Sequence, residues 1–265
     1  MESPHSSYDS YRRARDESWR ALLAMENAAL PVDPEALARI NGVGVYSRKE
    51  AEAFPRLARL LEKAPAGACV SVQVDGRWHF FLRDGLDEAR RRFAVAHELG
   101  HIRLNCPTRP LAPGIRVFCS APAAGDLTDG TEGTPDCDAD MFAIRLLAPA
   151  CLLHELHVDT PGGIAALCGL PPRAAAFRAE RMALLNERNV FYTHSLERRV
   201  RDRYLPEIRR RLSLPEPPGP ARTVPAPLPR RAESQIPEKR GFPWLAAALG
   251  LAAAAGGAAA YFLLR

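Results

Sequence analysis

Apolar residues recur at every third or fourth position along most of the chain, which predicts a mainly helical protein. In the middle of this pattern, two short stretches alternate between inward-facing and outward-facing residues on either side of Asp75-Gly76, which predicts a β-hairpin. We therefore expect an α+β fold, mainly helical with a small sheet. The predicted helices cover residues 8–29, 33–40, 48–64, 87–104 and most of 136–211, and the predicted strands cover residues 70–74 and 78–82.

The predicted helix before residue 105 carries an inward-facing stripe with unusual composition. Acidic residues open it, where the helix dipole favours them, and the stripe at 3/4 spacing consists of Phe93, Ala96, His97, Gly100 and Leu104. Pro107 ends the helix, because the residue before a proline disfavours helical backbone. We expect a loop from residue 107 to residue 135, in which residues 117–120 can add a strand.

Residues 97–101 of this helix read H-E-x-x-H. Since residues four apart lie on one face of a helix, His97 and His101 can offer two imidazoles to one metal ion. Glu98 lies next to them and can act as the general base towards water. This arrangement is typical of zinc hydrolases. Gly100 lowers helix stability, so we interpret it as making room for another element near the metal.

A catalytic zinc site needs a third protein ligand. The best source is the predicted helix from residue 136 to residue 148, where Asp136 and Asp140 lie four apart on one face. One of these aspartates can bind the metal while the other orients a ligand histidine through a hydrogen bond. An acidic first turn that only complements the helix dipole is the alternative.

At this point a resemblance to a known family is clear. Residues 92–104 resemble the metal helix of the ImmA/IrrE metallopeptidases, whose pattern is roughly R-F-x-x-A-H-E-L-G-H-x-x-L. Residues 136–149 are similar to the second family signature, roughly E-x-x-A-N/D-x-F-A-x-x-L-L-M-P, and residues 30–45 are similar to the family's opening helix and turn. The resemblance covers roughly residues 20–205 and implies a zincin-like metallopeptidase domain that binds Zn²⁺.

The resemblance implies zinc ligation by His97 and His101 and base catalysis by Glu98. Asp136 falls on the family's third ligand, which is a glutamate there, and Asp140 falls on the family's Asn/Asp position. Aspartate is one methylene shorter than glutamate and must approach the metal more closely. Asp138 is therefore an alternative third ligand, and Cys137 a more remote one. Candidates for an oxyanion stabiliser are His154, His157 and His194, each of which is more readily interpreted as structural or exposed.

The C-terminal part of the chain contains a long stretch without charged residues. Residues 242–264 carry no charge, and as a helix they span about 34 Å, enough to cross a hydrocarbon core of about 30 Å. Basic residues precede this stretch and only Arg265 follows it, so the positive-inside rule places the soluble domain on the cytoplasmic side. The N terminus shows no signal peptide. We expect a single-pass tail anchor in a bacterial cytoplasmic membrane.

The predicted organisation has three parts. Residues 1–212 form the peptidase-like domain, residues 213–241 form a proline-rich spacer that cannot build a core, and residues 242–264 form the anchor. The net charge of +5 is concentrated in arginines between residues 197 and 211, which form a solvated helix face or contact anionic lipid headgroups. The six cysteines lack any C-x-x-C pair, and without an export signal we expect reduced thiols.

Three functions follow from these patterns. The favoured one is a membrane-tethered zinc endopeptidase, and the resemblance adds a cytosolic regulatory protein, such as a transcriptional repressor, as its substrate. The alternatives are a metal-binding signalling or interaction module without catalysis, and a membrane-bound DNA-binding regulator. The last rests on residues 164–185, which resemble a helix-turn-helix but are better interpreted as packing support, so nucleic acid is not an expected partner. The sequence does not predict an oligomeric state.

Overall fold

The fold is taken from a computed structural model that describes residues 4–52, 55–62, 67–118, 127 and 134–214. It is α+β and mainly helical, as the sequence predicts. The helices are α1 Pro4–Ala24, α2 Pro34–Ile40, α3 Arg48–Ala51, α4 Pro55–Glu62, α5 Glu88–Arg103, α6 Pro135–Leu147, α7 Ala150–Glu155, α8 Pro161–Cys168, α9 Pro172–Arg188 and α10 Ser195–Arg211. The strands are β1 Gly44–Ser47, β2 Cys69–Val74, β3 Arg77–Leu82, β4 Thr108–Ala112 and β5 Ile115–Phe118.

The strands form one mixed sheet in the order β1-β3-β2-β5-β4. Strand β1 runs parallel to β3, and the other neighbours are antiparallel. The predicted hairpin is confirmed: Asp75 and Gly76 join β2 to β3 with φ angles of 47° and 82°. Positive φ at both positions is what a two-residue turn between twisted strands requires, and Asp-Gly tolerates it.

The two faces of the sheet belong to different cores because side chains alternate along a strand. Phe80 and Leu82 of β3 point into the main core with the residues of α5. Phe81, which lies between them, joins a second, smaller cluster with Val70 and Val72 on the opposite face. Helix α5 is consequently covered by the sheet on one side and by α6 on the other, and all residues from Phe93 to His101 are buried.

Three local features differ from the sequence-based expectation. Residues 48–64 contain two helices, α3 and α4, the second of which starts at Pro55, a residue suited to a helix's first turn. Strand β1 was not predicted, and residues 108–112 form strand β4 where a loop was expected. Strand propensity does not predict β4, because the strand contains Pro110. An edge strand nevertheless tolerates a proline. Pairing with β5 then supplies the remaining backbone hydrogen bonds.

Among the residues described here, no helix is long and apolar enough to cross a membrane. The predicted anchor, residues 242–264, lies outside the described residues, and so does the predicted spacer except for Ser213 and Leu214. Both therefore stay predictions. The five cysteines in the described part of the chain are thiols, and burial raises the pKa of Cys151 and Cys168 to about 12.

Candidate metal centre

Two imidazoles meet on the buried face of α5. The Nε2 atoms of His97 and His101 lie 3.0 Å apart, and the two side chains are 1% and 0% exposed. The four-residue spacing along the helix produces this geometry, because it places one ring directly above the other on the same side. The pair is therefore arranged as the sequence motif predicts.

A carboxylate of α6 completes the cluster. Thr134 caps this helix by accepting a hydrogen bond from the backbone of Cys137, and Asp136 lies in the first turn. Its Oδ1 atom lies 3.4 Å from Nε2 of His101 and 3.9 Å from Nε2 of His97. The cluster of these three residues could hold a metal ion.

The spacing of the three donor atoms fits a transition-metal site. Ligands that lie 2.0–2.1 Å from a tetrahedral zinc ion are about 3.3 Å from one another. The separations of 3.0, 3.4 and 3.9 Å bracket that value. Two imidazoles and one carboxylate are also a donor set that leaves a fourth position open, as catalytic zinc sites do. The residues present thus fit the ion that the sequence motif implies.

His97 is oriented from behind by a second aspartate of α6. The Oδ1 atom of Asp140 lies 2.7 Å from Nδ1 of His97, and both side chains are buried. Because an ionised carboxylate only accepts hydrogen bonds, this contact favours the tautomer with the proton on Nδ1, in which the lone pair of Nε2 is directed at the cluster. Burial alone lowers the pKa of His97, but the hydrogen bond with Asp140 and the nearby carboxylate charges raise it overall.

Glu98 is buried beside the two histidines and is only 4% exposed. The Oγ atom of Ser71 donates a hydrogen bond of 2.5 Å to Oε2 of Glu98, which fixes the carboxylate against strand β2. Sequence reasoning missed Ser71. The available signal was a polar residue on the inward face of an apolar strand, since Cys69 and Ser71 share that face.

The structure distinguishes the alternatives for the third ligand. Asp138 lies in a separate pocket with Ser10, Arg13 and Cys106. Burial raises the pKa of its carboxyl group, and the neighbouring Ser10 and Arg13 partly oppose that effect. Among the described residues, the group that could hold a metal includes neither Asp138 nor Cys137. The shorter side chain of aspartate therefore does not prevent Asp136 from reaching the two imidazoles.

No protein-family model matches the chain, and no curated protein matches it either. The resemblance to the ImmA/IrrE metallopeptidases thus stays a prediction that rests on the two motifs. Support for a function therefore comes from the geometry of the site itself.

Three further histidines, His154, His157 and His194, were candidates for an oxyanion stabiliser. His154 stacks on Phe191 with ring centroids 3.9 Å apart, and its Nδ1 atom lies 3.1 Å from Oδ1 of Asn186. His194 caps α10 by accepting a hydrogen bond from the backbone of Leu196. His157 adopts a left-handed backbone with φ of 53° just after α7. The structural interpretation of these histidines is thereby supported, and an oxyanion stabiliser is not assigned.

Gly100 is the point at which α6 approaches α5. A Cβ atom at this position would lie 3.0 Å from the Cα atom and 3.1 Å from the carbonyl oxygen of Ala139. We expect Gly100→Ala to destabilise the protein by about 1 kcal/mol, because overpacking of about 1–3 kcal/mol outweighs the gain in helix propensity of up to about 1 kcal/mol. Zinc affinity should also fall, since Asp136 moves outwards with α6.

Urea unfolding and a zinc titration of the Gly100→Ala variant measure both effects. The matched control is Gly162→Ala in the first turn of α8, where nothing lies within 4 Å of the added atom. This control should be as stable as the wild type or gain up to about 1 kcal/mol. Equal stability and equal zinc affinity in the two variants would contradict the tight contact between α5 and α6.

Proposed function

We propose that this chain is a zinc-dependent endopeptidase, tethered to a membrane, that hydrolyses a peptide bond in a cytosolic regulatory protein. The observation that carries the proposal is the convergence of three buried donor groups, from His97, His101 and Asp136, next to the buried carboxylate of Glu98. A purely structural metal site would use four protein ligands and would need no carboxylate base beside it.

The roles of the residues follow from their positions. A zinc ion at such a site supplies a Lewis acid for water and for a peptide carbonyl. Glu98 accepts the proton of the attacking water and passes it to the leaving amine. Ser71 holds one oxygen of Glu98 by its hydrogen bond, so the carboxylate keeps a fixed direction through both proton transfers. Asp140 keeps His97 in the tautomer that directs Nε2 towards the metal.

The membrane tether and the substrate class have separate support. The tether rests on the uncharged stretch 242–264 of the sequence, and the repressor-like substrate rests on the resemblance to the ImmA/IrrE family. Most arginines of α10 have partners within the protein, which fits a solvated helix face. Their partners are the Tyr192 carbonyl for Arg198, Asp202 for Arg201, the carbonyls of Leu23, Met25 and Glu26 for Arg203, Glu155 for Arg209, and Glu207 for Arg210 and Arg211.

The DNA-binding alternative receives less support from the helix pair α8 and α9. Arg178 of α9 is buried, and its Nε donates a hydrogen bond of 2.8 Å to the carbonyl of Ala148. Arg181 packs over the rings of Tyr11 and Phe177. Two basic residues of the second helix are thus used for internal packing, which favours a supporting role over groove recognition.

The decisive test is zinc-dependent peptide cleavage. The full chain, purified in mild detergent, is incubated with a peptide library prepared from a bacterial proteome, and new peptide ends are identified by mass spectrometry. We expect cleavage that stops when a chelator removes the metal and returns when one equivalent of zinc is added. Intact peptides in the presence of stoichiometrically bound zinc would instead favour the non-catalytic metal-binding module.

A further inference from the structure

The two histidines of the cluster are held in different ways. His97 has Asp140 behind it, at a hydrogen-bonding distance from Nδ1. His101 has no such partner within the described part of the chain, although its Nδ1 atom is completely buried. Metal-binding histidines almost always donate their second N–H group to a carboxylate, a carbonyl or water, and that contact fixes the direction of the ring. Some other contact has to orient the ring of His101.

The aromatic ring of Phe118 is packed against His101. The two ring centroids are 4.9 Å apart and the ring planes are tilted by 31°. Phe118 also stacks on Trp78, with centroids 4.2 Å apart and an angle of 9° between the planes. The indole therefore restricts movement of the phenyl ring, and the phenyl ring limits rotation of the imidazole.

The register of the sheet places Phe118 at this point. Phe118 is the last residue of β5 and pairs with Thr108, the first residue of β4. Strand β4 starts five residues after the end of α5 at Arg103, so the β4–β5 hairpin folds back over the C-terminal turn of the metal helix. Phe118 is 7% exposed and has little room to move.

We propose that Phe118 is a positioning residue for the metal centre: its ring orients the imidazole of His101 by packing, as Asp140 orients His97 by hydrogen bonding. The inference rests on the proposed function only in requiring that His101 bind a metal ion. Phe118 itself contributes no donor atom, and its effect is exerted through the direction of the His101 ring. Trp78 acts one step further out by holding Phe118 in place.

Metal binding by the full chain in detergent tests this role directly, without a substrate. Zinc affinity is measured by competition with a chromophoric chelator, and the visible absorption of the Co²⁺-loaded protein reports ligand geometry. For Phe118→Leu we expect zinc affinity to fall about tenfold and the cobalt bands to shift. Trp78→Leu, which leaves the phenyl ring present but unsupported, should give a smaller change in the same direction.

Phe81→Leu is the matched control. Phe81 is also a buried phenylalanine of the sheet, but it belongs to the cluster on the opposite face. This variant should lose thermal stability about as much as Phe118→Leu and keep wild-type zinc affinity and cobalt absorption. Should both Phe118→Leu and Trp78→Leu match the wild type in affinity and spectrum, the positioning role is overturned. Absence of metal from the wild type itself would overturn the proposed function as well.

Discussion

Replacing His101 by alanine is expected to abolish metal binding. The wild-type chain should retain one zinc ion per molecule after dialysis, and the His101→Ala variant should retain none. Removal of a residue behind a ligand typically weakens metal binding 10–100-fold, so loss of one of three direct ligands should cost more than about 100-fold. The Nε2 atom of His101 lies within 3.4 Å of both other donors, and no other described residue belongs to the cluster. Elemental analysis of the purified full chain measures the zinc content.

The aspartates of α6 provide a matched pair for the same measurement. Asp136→Ala should lose zinc as His101→Ala does, because its carboxylate is the third donor. Asp138→Ala should keep zinc, because Asp138 lies in the neighbouring pocket with Ser10 and Arg13. The reverse result, zinc kept in Asp136→Ala and lost in Asp138→Ala, would contradict the assignment of the third ligand. Failure of the wild type to bind zinc would remove the basis of the peptidase proposal.

The second large effect is expected for Glu98→Gln. Peptide cleavage should fall by at least about 100-fold, since general base catalysis typically contributes 10²–10⁴-fold. Zinc content should stay at the wild-type level, because Glu98 is not one of the three donors. Glutamine has the same shape, and its side-chain oxygen can still accept the hydrogen bond from Ser71. The rate is measured on peptides that the library experiment identifies as substrates.

Glu88→Gln is the control for this second experiment. Glu88 lies in the first turn of the same helix, and its side chain is 70% exposed. It pairs with Arg92 on the surface, where an ion pair contributes little, so both zinc content and cleavage should match the wild type. Unchanged cleavage in Glu98→Gln would exclude Glu98 as the base. Loss of cleavage together with zinc would point to a disturbed metal site, and would leave the base unassigned.

The helices were the most predictable part of the fold. Their apolar periodicity is a local property, and the ends of α5 and α6 were marked by Asp87, Pro107 and Pro135. The hairpin of β2 and β3 was equally local, because an Asp-Gly turn joins its strands. Strands β1 and β4 were missed because they are four and five residues long and lie at the sheet edges. Strand β1 pairs with β3, which lies far along the chain, whereas β4 pairs with the nearby β5 and contains Pro110, which disfavours a strand assignment.

For the candidate site too, the sequence predicted some contacts, and tertiary packing decided the others. The sequence left more than one candidate for the third ligand because Asp136, Cys137 and Asp138 are consecutive residues in one helical turn. Only the packing of α6 on α5 at Gly100 decides which carboxylate faces the histidines. The four-residue spacing of Asp136 and Asp140 predicted that one aspartate orients a ligand histidine, and the structure shows that Asp140 contacts His97 at 2.7 Å.

The sequence by itself determined the His97–Glu98–His101 motif and its helix, since a spacing of four residues fixes neighbours on a helix face. Tertiary structure alone decided that Ser71 holds Glu98 and that Phe118 packs on His101. Ser71 comes from a strand 27 residues before Glu98, and Phe118 from a hairpin that folds back over α5. No local pattern records such contacts, because strand register and helix packing create them only when distant segments are brought together.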